Sequence, residues 1–87
     1  MKVVEKTVIF GRNAVLSAKE AATFVAEAKK YDSDVWIEKG DRRVDGKSIM
    51  SLMSLAGQQS NSLKICADGV DEVALVDALY KVAQTCV

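Results

Sequence analysis

Ser17, Lys19 and Glu20 stand together in "VLSAKEAAT", Val15 to Thr23, and their spacing admits two kinds of chemistry. Ser17-Ala18-Lys19-Glu20 has the form S-x-x-E ahead of an alanine-rich run, the pattern of a capping box that opens a helix. A helix start is also an anion site, because its first N–H groups lack intrahelical partners and point outward. The same residues thus describe either a structural cap or a place to hold a phosphate. Ser48, ahead of "IMSLMSLA", is placed as the N-cap of another helix.

Other chemistry lacks its residues. The 87-residue chain has no histidine, which argues against metal sites, Ser–His triads and histidine acid–base catalysis. Cys66 and Cys86 are too few for a disulfide framework and fall outside zinc-ligand spacing, so packing or surface roles are expected of both. No cofactor and no enzymatic activity are expected.

The elements that must position these serines follow from periodicity. Residues 3–10, "VVEKTVIF", are β-branched and aromatic and read as a strand, which Gly11-Arg12-Asn13 then breaks. From Ser17, Ala21, Phe24, Val25 and Ala28 recur at i, i+3, i+4, i+7, a helix whose last turn is expected to hold Lys29 and Lys30. "DVWIE" is a strand with Val35 and Ile37 on one face and Trp36 on the other. Lys39-Gly40-Asp41-Arg42 makes a hairpin turn in which glycine supplies positive φ, and "RRVD" returns. The helix after Ser48 is expected to place Ile49, Leu52, Met53 and Ala56 on one side. "NSLKICADG" alternates Leu63, Ile65 and Ala67 against Lys64, Cys66 and Asp68, a half-buried strand. A final helix over about 71–85 is expected to bury Val73 or Ala74, Val76 or the neighbours of Asp77, Leu79 and Val82.

The order β-α-β-β-α-β-α, with its hairpin, predicts an α+β fold: an open-faced sandwich with helices on one face of an antiparallel sheet. The same alternation points Ile9, Trp36 and Cys66 at the open face. If their strands are neighbours, these three form an apolar stripe suited to a homodimer; otherwise they are scattered apolar residues. Formal charge is zero, so nothing draws the whole molecule to nucleic acid or an anionic membrane. No apolar run approaches the roughly 20 residues needed to span a bilayer. The N-terminal "MKVVEKTVIF" is a poor signal peptide, and the expected location is the cytoplasm.

Over this frame, "KYDSDVWIEKGDRRVDGKSIMSLMSLA" closely resembles the corresponding run of HPr, the histidine-containing phosphocarrier family of the bacterial sugar phosphotransferase system. "KSIM…LMSLA" at Lys47–Ala56 is its most specific part, and the resemblance extends from about Glu5 to the last helix. It implies one HPr-like domain over residues 1–87, with a four-stranded antiparallel sheet and three helices on one face. The family's active site is G-x-H-A-R-P at the start of the first helix. Counting back from "KYDSDV", those positions hold Val15-Leu16-Ser17-Ala18-Lys19-Glu20, so serine, lysine and glutamate replace the histidine, arginine and proline.

The replacement changes the chemistry. A phosphoramidate on imidazole is labile enough to be passed on, whereas a serine phosphate is an ordinary, stable ester that would end the relay. Lys19 keeps a positive charge but lacks the planar fork that grips phosphate bidentately. Glu20 would repel a phosphate on Ser17 and compete for the same N–H groups. The chain thus looks like the histidine-less, Crh-like branch of the family. That resemblance implies regulatory phosphorylation at Ser48 and a docking surface of Lys47, Ile49, Met50 and Met53. The partners it implies are an HPr kinase/phosphorylase and a catabolite-control transcription factor. On residue chemistry alone Ser48 reads as a plain cap and the methionines as plain core; it is the resemblance that favours the regulatory reading. The alternative function is an HPr-fold interaction domain without phosphorylation, self-associating through Ile9, Trp36 and Cys66.

Overall fold

The β-branched N-terminal run forms strand β1 (Val4–Ile9) in the computed structural model, which describes residues 4–10 and 15–85. Helix α1 (Ala18–Ala28) follows, then the hairpin β2 (Asp34–Lys39) and β3 (Arg42–Asp45). Helix α2 (Ile49–Ser54) runs into a 3₁₀ turn at Leu55–Gly57, and β4 (Ser62–Asp68) leads to α3 (Glu72–Gln84). The sheet order is β1-β4-β2-β3, with every neighbouring pair antiparallel. The last strand therefore inserts between the first two, and its Leu63, Ile65 and Ala67 lie at the centre of the core. The predicted strand breaker Gly11-Arg12-Asn13, and Cys86, lie outside the described residues.

Period-two strands and period-3.6 helices meet as the sequence pattern requires. Val8, Val35, Ile37, Leu63, Ile65 and Ala67 from the sheet join Ala21, Phe24, Val25 and Ala28 of α1 and Leu75, Val76 and Leu79 of α3 in one buried cluster. Helices α1 and α3 pack on each other, α3 also on β1 and β4, and α2 against α1 and β3. Burying each large aliphatic or aromatic side chain contributes about 1.5–3 kcal/mol. The hairpin closes as expected: Lys39 pairs with Arg42, and Gly40 adopts φ 60°.

Three expectations about faces and ends are corrected. Helix α1 stops at Ala28, so Lys29 is its C-cap, and Lys30 follows in a turn, with its N–H donating to the Glu27 carbonyl. Helix α2 buries Leu52 and, in the following 3₁₀ turn, Leu55, while Ile49, Met53 and Ala56 stay exposed. Leu52 and Leu55 are three residues apart and so share the inward face. Helix α3 buries Leu75, Val76, Leu79 and Ala83; Val73 and Ala74 are exposed and Val82 is only partly buried.

The apolar stripe does not form either. Cys66 pairs with Glu5 on one side and Trp36 on the other, but Ile9 pairs with Ser62, four residues along β4. At about 3.3 Å per residue this separates Ile9 from the other two by roughly 13 Å. The Arg43 guanidinium lies over the Trp36 ring at 4.2 Å, and the carboxylates of Glu5 and Glu38 close over the Cys66 sulfur. What the open face presents around these residues is charged.

Candidate functional site

Ser17 has the extended backbone of an N-cap, φ −67° and ψ 166°. Its hydroxyl oxygen accepts the Glu20 N–H at 3.1 Å, and the Glu20 carboxylate accepts the Ser17 N–H at 2.9 Å. Both halves of the capping box are present. Lys19 is exposed, and its carbonyl accepts the Thr23 hydroxyl at 3.1 Å. Ser17, Lys19, Glu20 and Thr23 line a cleft of about 460 Å³ with Val82 and Thr85. The start of α1 therefore faces the end of α3 across a concave surface. At that helix start the Ser17 N–H is taken by a carboxylate of the chain itself and the Glu20 N–H by the Ser17 hydroxyl. Ser17 also has no histidine to take its proton, so its hydroxyl is an unactivated nucleophile.

Ser48 has φ −125° and ψ 119°, and its hydroxyl oxygen accepts the Ser51 N–H at 3.3 Å. It is half-buried, and the helix it caps presents Met50, 84% exposed, beside the exposed Ile49 and Met53. The loop leading to it is fastened three times. Gly46 N–H donates to the Val35 carbonyl at 3.0 Å, Lys47 N–H to the Asp45 carboxylate at 2.9 Å, and the Lys47 ammonium to the Tyr31 carbonyl at 2.9 Å. Gly46 is buried, and a Cβ there would come within 3.0 and 3.2 Å of the two Val35 methyls. Ser17 and Ser48 thus cap two different helices, and the residues grouped with each remain with it.

On the open face, Cys66 meets Glu38 at 3.6 Å and Glu5 at 3.7 Å. Burial first, then the charge and hydrogen bonding of Glu38 and of Glu5, push the thiol up to about 12. The three donor atoms lie within 4.8 Å of one another, a convergence that the alternation in "NSLKICADG" does not reveal. Near neutral pH the sulfur keeps its proton and is not a thiolate nucleophile.

A second constellation missing from the sequence reading joins α3 to the entry of β2. The Asp71 carboxylate accepts the N–H groups of Asp32 and Ser33, each at 2.9 Å, and the Ser33 hydroxyl. The Asp71 N–H donates back to the Ser33 hydroxyl at 3.1 Å, and Glu72 accepts the Gly69 N–H at 3.0 Å. The Ser33 hydroxyl, then the Asp32 N–H, hold the Asp71 carboxyl below its ordinary range. The signal in "GVDE" was an acidic residue at a helix start, but its target lies 38 residues earlier and no local pattern points there.

The family model described as "PTS HPr component phosphorylation site" matches residues 4–85. The HPr-like protein Crh of Halalkalibacterium halodurans is 41% identical over 76 residues, covering 87% of this chain and 90% of that one. Among solved structures, an HPr of Thermoanaerobacter tengcongensis superposes with a TM-score of 0.82 at 38% identity, covering 94% and 92% of the two chains. Crh of Bacillus subtilis, described as a dimer with a swapping domain, superposes with a TM-score of 0.75 at 38% identity, covering 94% of each chain.

Proposed function

The chain belongs to the HPr family, and from that premise we propose that it is a regulatory binding module of carbon catabolite control, switched by phosphorylation of Ser48. The observation that carries this reading is the division between the two serines. Ser17, at the position of the family's carrier histidine, is closed by its own capping box. Ser48 keeps "KSIM" intact around it and stands at the edge of an exposed Ile49–Met50–Met53 surface. A phosphate on an N-cap hydroxyl gains from the first-turn N–H groups, so modification need not unfold the helix. The methionines supply an adaptable apolar contact for a protein partner.

In this reading the protein is not an enzyme, needs no cofactor and acts in the cytoplasm. Its partners are a kinase/phosphorylase of the HPr type and a transcription factor that recognises the phosphorylated form. Among the described residues no helix is long and apolar enough to cross a membrane.

Incubation with an HPr kinase and ATP is expected to add one phosphate, at Ser48 by mass spectrometry, and Ser48→Ala is expected to abolish it. An unmodified wild-type protein would sink the proposal and favour an interaction domain without phosphorylation. Incubation with phosphoenolpyruvate and the first enzyme of the phosphotransferase system is expected to leave no acid-labile label. Any such label would show that phosphotransfer survives the loss of the histidine.

A further inference from the structure

Lys47 entered the sequence reading as a contact for the partner. Its placement points elsewhere. Its ammonium donates to the Tyr31 carbonyl at 2.9 Å, a charge-assisted bond made where both groups are half-buried. Tyr31 follows α1, with its N–H returned to the Ala28 carbonyl at 3.2 Å. The next two N–H groups, of Asp32 and Ser33, are held by Asp71. The carbonyl that Lys47 grasps is therefore fixed on both sides. The Lys47 side chain reaches across from the residue just before the N-cap serine to this fixed point, while Asp45 holds its backbone N–H at 2.9 Å. Ser48 takes up the extended backbone of an N-cap immediately afterwards.

We infer that Lys47 is a positioning residue for Ser48: it ties the N-terminus of α2 to the α1–β2 connection and so presents the hydroxyl in one geometry. The part concerning phosphorylation rests on the reading of Ser48 as the phosphoacceptor. Without the tether, the loop before Ser48 samples other geometries, and a kinase sees the competent one only part of the time. A lone charged hydrogen bond of this kind is enough to bias such an equilibrium about ten-fold.

Two variants and a footprint test this. Lys47→Met keeps the aliphatic stem without the donor, and Lys47→Arg keeps a charged donor. Lys47→Met is expected to lower kcat/KM for phosphorylation by an HPr kinase about ten-fold and to speed amide exchange at Ser48–Leu52, with Lys47→Arg recovering both. In the unbound wild-type protein, an amine-reactive ester is expected to acylate Lys47 several-fold more slowly than the exposed Lys29. The inference is overturned if Lys47→Met loses phosphorylation while amide exchange stays unchanged, because Lys47 then touches the kinase directly. It is equally overturned if Lys47 reacts as fast as Lys29, or if Lys47→Met is phosphorylated like wild type. Failure of the wild type to be phosphorylated removes the reading of Ser48 instead. The exchange and acylation results then still decide whether Lys47 holds the loop.

Discussion

Gly69→Ala should destabilise the protein by about 3 kcal/mol or more, lowering the thermal midpoint of this small domain by roughly 12 °C or more. Gly69 sits where β4 gives way to α3, and a Cβ there would lie 2.6 Å from Ser33 Cα and 2.7 Å from Ser33 Cβ. One of these atoms is backbone, so no rotamer change relieves the clash. Ser33 cannot simply withdraw, because it is 2% exposed and its N–H and hydroxyl are both committed to Asp71. Overpacking alone costs about 1–3 kcal/mol, and each buried polar group left unpaired adds a similar amount. Gly57→Ala is the control: nothing lies within 4 Å of its added carbon, and a change within about 0.5 kcal/mol is expected. Urea titration of the two variants beside wild type decides the matter, and a Gly69→Ala loss below about 1 kcal/mol would show that the clamp yields. The same clamp has a pH signature. Asp71 has a lowered folded-state pKa, so its contribution is complete above the ordinary carboxylate range and is lost as pH falls through the lowered value.

The periodicities made the fold legible because each element buries one face, and burial is what spacing records. Ala21, Phe24, Val25 and Ala28 were readable, as were Leu63, Ile65 and Ala67, and all seven are buried. The capping box at Ser17 and the cap at Ser48 were readable because their partners lie three residues away. Where the reading failed, geometry beyond one element decided. Helix α2 is short and packs through Leu52, with Leu55 of the following 3₁₀ turn beside it, a choice among its apolar residues that periodicity alone does not make. The order β1-β4-β2-β3 sets which outward residues meet, and it placed Ile9 opposite Ser62 rather than Cys66. The candidate site divides in the same way. The identity of Ser17, Lys19 and Glu20 could be taken from their order in the chain, but the attachment of Lys47 to Tyr31 required the fold. Of the docking residues named for Ser48, Ile49, Met50 and Met53 are exposed as that role requires, and Lys47 alone is turned inward to a backbone carbonyl.

Lys39→Met should stabilise the protein at pH 7 by roughly 1–3 kcal/mol, against the usual direction for a substitution at a fully buried position. Lys39 ends β2 on the same face as Val35 and Ile37 and is 1% exposed. Its ammonium has no hydrogen-bond partner among the described residues, and the residue directly across the hairpin, Arg42, carries the same charge. A buried donor without an acceptor bears its full desolvation cost, and burial accordingly lowers the Lys39 pKa. Methionine keeps the unbranched stem and fills the same space without the charge. The pH dependence identifies the cause. Because the folded-state pKa lies below the ordinary lysine value of 10.5, the wild type gains stability as pH rises from the lowered value toward 10.5. The advantage of Lys39→Met should therefore be largest near neutrality and shrink at alkaline pH. Thermal or urea unfolding of both proteins at pH 7 and pH 10 measures it. Equal stability at pH 7 would mean that the ammonium is satisfied in solution. A gain that is the same at both values would assign the effect to packing rather than charge.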